Sequence, residues 1–337
     1  MKKALLILTL LLSNPIAKAD LVRLRGSEGI THEGVISSGS HNGLRFVIDD
    51  SVDGTVVFPW SQVHSFESSN PRPTLIEFQK AAELLWRAKE RLERGDVLLA
   101  EPLFKEIFAN KKYTASHDAR LAAEGYLRCL IARGALLDAV EPWLAIAVLE
   151  SQGFASPFSQ FDSVIDAETL LCPFLPPVWA GEVSLVSVYD NYLDTEHPRV
   201  ASIVSGLRSI PNQQESATQA VLSFLNKIFT IEDLSYSAED SSSWKQIWFN
   251  YFKGIVEIET NDLASRNQGL LKLSRVAALG KGSQQWLAGA AMLRLSDELM
   301  KDGESKPALQ ISEYAKRRYP AHPLHKSNLF NIRNFSP

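Results

Sequence analysis

Residues 286–320 read WLAGAAMLRLSDELMKDGESKPALQISEYAKRRYP, and this stretch decides the fold class. Apolar residues recur at helical spacing over 286–300, with Leu295 and Leu299 on one face. Gly303 stops that helix, because glycine takes the left-handed backbone conformation that so often follows a helix end. A second helix is expected over 306–318. On it, Ala308 and Ala315 are small enough to let two helix backbones approach, and Pro320 closes the unit.

Working outward, the same grammar recurs nearer the N-terminus. Gly95, Ala100 and Phe104 are followed 39 residues later by Gly134, Ala139 and Trp143. Helices are expected over 74–94, 96–110, 118–133 and 135–150, each pair broken by one of these glycines. Leu75, Phe78, Ala82, Leu85 and Leu92 line one face of the first, and Thr74 with Glu77 has the spacing of a capping box. Pro102 and Pro142 each lie beyond a first turn, so the second helices either bend or start later. A further helix pair is expected over 244–259 and 263–279.

Paired helices that cannot bury their faces alone stack on their neighbours. The Gly303, Ala308, Ala315 and Pro320 spacing resembles the tetratricopeptide repeat, from which Ser312 departs by standing where a large aromatic is usual. The resemblance implies a concave helical surface that holds a protein or peptide partner. An all-helical bundle with the same spacing is the alternative.

Ahead of these helices the period is two. Val22 and Leu24 alternate with Arg23 and Arg25, and Leu44, Phe46 and Ile48 alternate with Arg45 and Val47. Val56 and Phe58 mark another run, and Gly/Asp/Asn/Ser clusters over 26–29, 37–43 and 49–54 supply the turns. About five short strands over 20–67 follow, curled into a small barrel packed on its neighbour. The order of parts, ending in VVFPWSQVHSFE at 56–67, resembles small Sm-like barrels. RNA binding, common in cytoplasmic Sm-like modules, does not carry over, since no basic and aromatic cluster sits on one strand. An adaptor or capping role is expected, with His32, His41 and His64 as exposed loop residues.

The chain has 337 residues and a net charge of -4, with 45% apolar and 22% charged residues. This composition excludes collagen, coiled coil and wholesale disorder, and it lacks the basic excess of a nucleic-acid binder. Lys2 and Lys3, the apolar run 4–12 and the small-x-small pattern Ala17-Lys18-Ala19 form the layout of a secretory signal peptide. The run is too short to span a bilayer. A soluble, exported bacterial protein, periplasmic or secreted, is expected to begin at Asp20. Removing the leader takes three lysines and no acid, so the remainder is more acidic than the whole. In an oxidising compartment Cys129 and Cys172 either form a disulfide or stay buried as small hydrophobes.

The fold class is therefore mainly α: a helical-hairpin, tetratricopeptide-like superhelix preceded by a small all-β, barrel-like module. The divisions are 1–19 signal peptide, 20–67 β module, 68–73 linker, 74–150 and 244–320 helical repeats, 151–243 crossover, and 321–337 basic tail. The crossover has short helices over 198–210 and 216–229 and an acidic stretch over 231–243. Its apolar, proline-rich segment CPFLPPVW at 172–179 cannot be a regular helix. It either lies on the concave face, presenting Phe174 and Trp179 to a partner, or is a buried link between helical blocks.

No phosphate loop, His-Glu-x-x-His or nucleophile elbow is present, and the carboxylates are scattered. No cofactor, metal site or catalytic residue is implied, and His322 with His325 is read as a surface tail. Beyond Glu313 there is no acid, while Lys316, Arg317, Arg318, Lys326 and Arg333 are basic. That tail either meets an anionic membrane or cell wall or folds back on its own chain. The function expected is a non-catalytic exported scaffold for a protein or peptide. The rivals are a periplasmic enzyme or glycan/lipid carrier with its site in 151–243, and a purely architectural envelope protein.

Overall fold

A computed structural model describes residues 19–26, 29–48, 54–68, 72–111, 114–212, 216–230, 243–260, 262–280 and 284–320. The signal peptide up to Lys18, with Ala17, the stretch 231–242 and the tail from 321 lie outside the described residues. The chain divides into two compact units, Met1–Ala122 and Ala123–Pro337. The architecture is mainly α with an N-terminal antiparallel sheet.

In the first unit the strands are β1 (Asp20–Leu24), β2 (Thr31–Ser40), β3 (Gly43–Val47), β4 (Thr55–Phe58) and β5 (Val63–Glu67). They pair in the order β4-β3-β2-β1-β5. The expected barrel is not formed: the sheet is open, with β4 bonded only to β3 and β5 only to β1. The chain crosses from one edge to the other through a 3-10 turn at Trp60–Gln62. That turn makes no ladder, and the indole of Trp60 enters the core there, its Nε1 donating to Ser40 O at 2.7 Å.

Val22, Ile36, Leu44, Phe46, Phe58 and Val63 point inward from the five strands. This small apolar set is completed by helix α1 (Pro73–Glu93), which adds Leu75 and Ala82 to the same core. Trp60 stacks on Phe78 of α1 at 5.3 Å. The helix begins on Pro73 with Arg72 as its cap and no side-chain bond, so the Thr74/Glu77 box is not what starts it. Proline at the first helical position gives up a donor that would have been unpaired anyway. Arg25 ties the sheet to α1: it bonds Glu83 at 2.6 Å and lies over the ring of Trp86.

Helix α2 (Val97–Lys111) follows, then α3 (His117–Arg133), which begins in the first unit and ends in the second. The second unit continues with α4 (Leu136–Ser151), an irregular stretch of turns and bends, and α5 (Val186–Asp190), α6 (Pro198–Ser209) and α7 (Ala217–Ile228). Then come α8 (Trp244–Ile258), α9 (Leu263–Leu279), α10 (Gln285–Lys301) and α11 (Ser305–Arg318), each packed on the next. Pro102 and Pro142 lie inside continuous helices, so α2 and α4 start ahead of their prolines, at Val97 and Leu136, and not after them.

Each turn glycine closes its helix in the same way. Gly95, Gly134 and Gly303 have φ of 84°, 74° and 83°. In all three the glycine N–H returns to the carbonyl three residues back, and the next N–H to the one five back: Gly303 to Met300 at 3.1 Å and Glu304 to Leu299 at 2.9 Å. This is the Schellman arrangement, which satisfies carbonyls otherwise orphaned at a helix end. Gly153, absent from the sequence pattern, closes α4 identically. Ala100, Phe104, Ala139, Trp143, Ala308 and Ala315 are buried. Ser312, which stands where the repeat usually has a large aromatic, is buried too, and Ser296 donates to Ala308 O at 2.7 Å across the α10–α11 contact.

Candidate binding cleft

The segment 152–182 is held by specific bonds rather than by regular structure. Arg128 of α3 pairs with buried Glu124, donates to Asp162 O at 2.8 Å and covers the rings of Phe158 and Phe161. A tight loop follows. Asp166 Oδ1 accepts from the Thr169 N–H and hydroxyl, and Asp166 and Leu170 close it through backbone bonds. The closure leaves Leu170 left-handed, at φ 59°, and turns its carbonyl toward Trp143, whose indole N–H donates to it at 3.0 Å.

The proline-rich segment then passes between helical blocks. Gln284 donates to Pro173 O at 2.6 Å and accepts from the Trp248 indole at 2.8 Å. Leu171, Cys172, Leu175 and Ala180 are buried. The stretch is thus a packed link. Its apolar residues cannot be left in water, and its proline-interrupted backbone finds partners in side chains of α4 and of the segment leading into α10.

One cleft of about 360 Å³ opens beside this link. Three separate segments build it. The Gly134 turn and the start of α4 bring Leu136, Leu137 and Asp138; the link brings Val178, Trp179 and Glu182; α10 brings Trp286 and Ala290, one turn apart. Its size falls in the range of ligand pockets. Trp179 packs against Trp143 at 5.9 Å, and its buried indole nitrogen has no acceptor among the described residues. Leu137 and Val178 expose apolar surface at the mouth. Asp138, paired with Arg133 at 3.6 Å, and Glu182 are its charged residues. Among the described residues the walls carry no histidine, cysteine or lysine. They can bury an apolar group and attract a positive one.

Of the residues expected to meet a partner, Trp179 lines the cleft and half-buried Phe174 does not. Trp286, Leu137 and Val178 were not anticipated as site residues; no sequence pattern joins positions so far apart in the chain. Ala19 is exposed just ahead of β1, and Pro320 follows α11. Cys129 and Cys172 are buried and not joined in a disulfide, and burial pushes the Cys172 thiol up to about 12. Among the described residues no three His, Cys, Asp or Glu side chains could together hold a metal ion, and no helix is long and apolar enough to cross a membrane. No family model, curated protein or solved structure matches this chain.

Proposed function

We propose that this chain is a non-catalytic interaction protein whose cleft seats a large apolar side chain of a protein or peptide partner. The observation that carries this is the lining: tryptophan and aliphatic walls, an exposed apolar mouth at Leu137 and Val178, and, among the described residues, carboxylates as the charged groups. Aromatic anchors filling such pockets dominate the energetics of protein interfaces. The carboxylates favour a partner with lysine or arginine beside the anchor. Acid–base chemistry would call for titratable groups converging on one point, and the cleft offers two exposed acids on separate segments instead.

Two finer readings belong to the same proposal. The glycine-turned pairs α1–α2, α3–α4 and α10–α11, with buried alanines at matching places, support a tetratricopeptide-like scaffold. The layout of residues 1–19 supports export to the periplasm or beyond.

Panning a displayed dodecapeptide library against the full chain tests the cleft. Binders enriched in Leu, Phe or Trp beside Lys or Arg, and lost with Leu137→Asp and Val178→Asp, are expected. Binders without an apolar anchor, or indifferent to both substitutions, would overturn it.

A further inference from the structure

A second concave surface lies between α8 and α9, and its charge is opposite. The two helices touch at Gly254 and Gly269, where a β-carbon on Gly269 would stand 2.5 Å from Gly254 O. Toward the start of α8 and the end of α9 they leave a groove of about 480 Å³. Ile247 and Val276, both buried, form its floor. Lys253 and Asn250 stand on one wall, Lys272 and Arg275 on the other.

These cations are not spent alike. Lys272 is neutralised by Glu257 at 2.6 Å. Lys253 lies over the Phe249 ring at 5.5 Å, and among the described residues no carboxylate comes within ion-pair distance of it or of Arg275. Among the described residues no acid lines the groove. Two uncompensated cations on facing walls create a local positive potential that draws in anions. An arginine offers a planar fork matched to a carboxylate, and the Asn250 amide can both donate to and accept from a peptide backbone. An apolar floor rewards side chains that a bare polyanion lacks.

We propose that the α8–α9 groove binds an acidic peptide segment that carries apolar residues between its carboxylates. It is a site distinct from the cleft at Trp179, and it stands whether or not that cleft binds anything.

Fluorescence anisotropy on the full chain tests it, with a labelled dodecapeptide alternating Asp/Glu with Leu/Phe as probe. Saturable binding is expected, weakened about tenfold by Arg275→Glu and further by Lys253→Glu, and falling as salt rises. A peptide with Lys in place of each acid should not bind. Arg275→Gln, neutral at an exposed position, should weaken binding less than the reversal while leaving the unfolding midpoint in place. Leu137→Asp, in the other cleft, should leave binding unchanged. The proposal fails if the acidic peptide does not bind, if binding survives the Lys253→Glu/Arg275→Glu pair, or if inorganic polyphosphate of equal charge binds as well as the peptide.

Discussion

The indole of Trp286 lies directly against Gly134: a β-carbon on that glycine would stand 2.3 Å from the ring. One residue therefore serves both as a helix-ending turn and as the contact that lets α10 approach the start of α4. Gly134→Ala meets two penalties, left-handed backbone and a collision with a large ring, whereas Gly95→Ala meets the first alone, with nothing within 4 Å. Gly95→Ala is expected to cost about 1 kcal/mol and Gly134→Ala about 2–4 kcal/mol. Urea unfolding midpoints check the difference. Combining Gly134→Ala with Trp286→Leu should cost less than the sum of the two changes.

Trp143 holds the link in place through the Leu170 carbonyl. Trp143→Phe keeps an aromatic ring but strands a carbonyl at a residue already held left-handed. A loss of about 1–3 kcal/mol follows. Limited proteolysis should then cut within 166–182 before it cuts α4.

Arg25 holds the Glu83 carboxyl below its ordinary value of 4.5, chiefly by hydrogen bonding to it. The folded protein thus binds that proton more weakly than the unfolded chain. The pair adds stability above the ordinary carboxylate range and loses it as pH falls through the lowered value. Glu83 is about a third exposed, so the contribution at neutral pH is about 1 kcal/mol or less. The stability gap between the wild type and Glu83→Gln should be level at neutral pH and close in acid.

Burial raises the Cys172 thiol to about 12, and Cys129 is buried as well. The thiolate is the reactive species, so neither should react with iodoacetamide at pH 8 in the native protein. Both should label once urea unfolds it, as mass spectrometry would show. Labelling of native Cys172 would contradict its enclosure.

Local rules made much of the fold legible. Apolar periodicity and glycine stops placed helices within a residue or two of Leu136–Ser151, Leu263–Leu279 and Ser305–Arg318, because helix limits depend on neighbours in sequence. The barrel failed for a different reason. Alternation identifies strands but not whether two edges bond, and here β4 and β5 stay at opposite edges of the sheet. The Thr74/Glu77 spacing also lost to Pro73, which starts a helix without a side-chain cap.

The change of period after the β module, the glycine turns and the small residues beside them can be read from the order of amino acids, since each is set by backbone geometry within a few residues. Long-range packing makes the proline-rich segment a packed link, brings Trp286 against Gly134, and sets Trp179 in a cleft with Leu137 and Val178. It alone also set Lys253 across from Arg275. Those relationships join positions about 150 residues apart, such as Trp286 and Gly134. Distant segments meet where surfaces fit, and shape complementarity is a property of the packed chain rather than of any stretch of it.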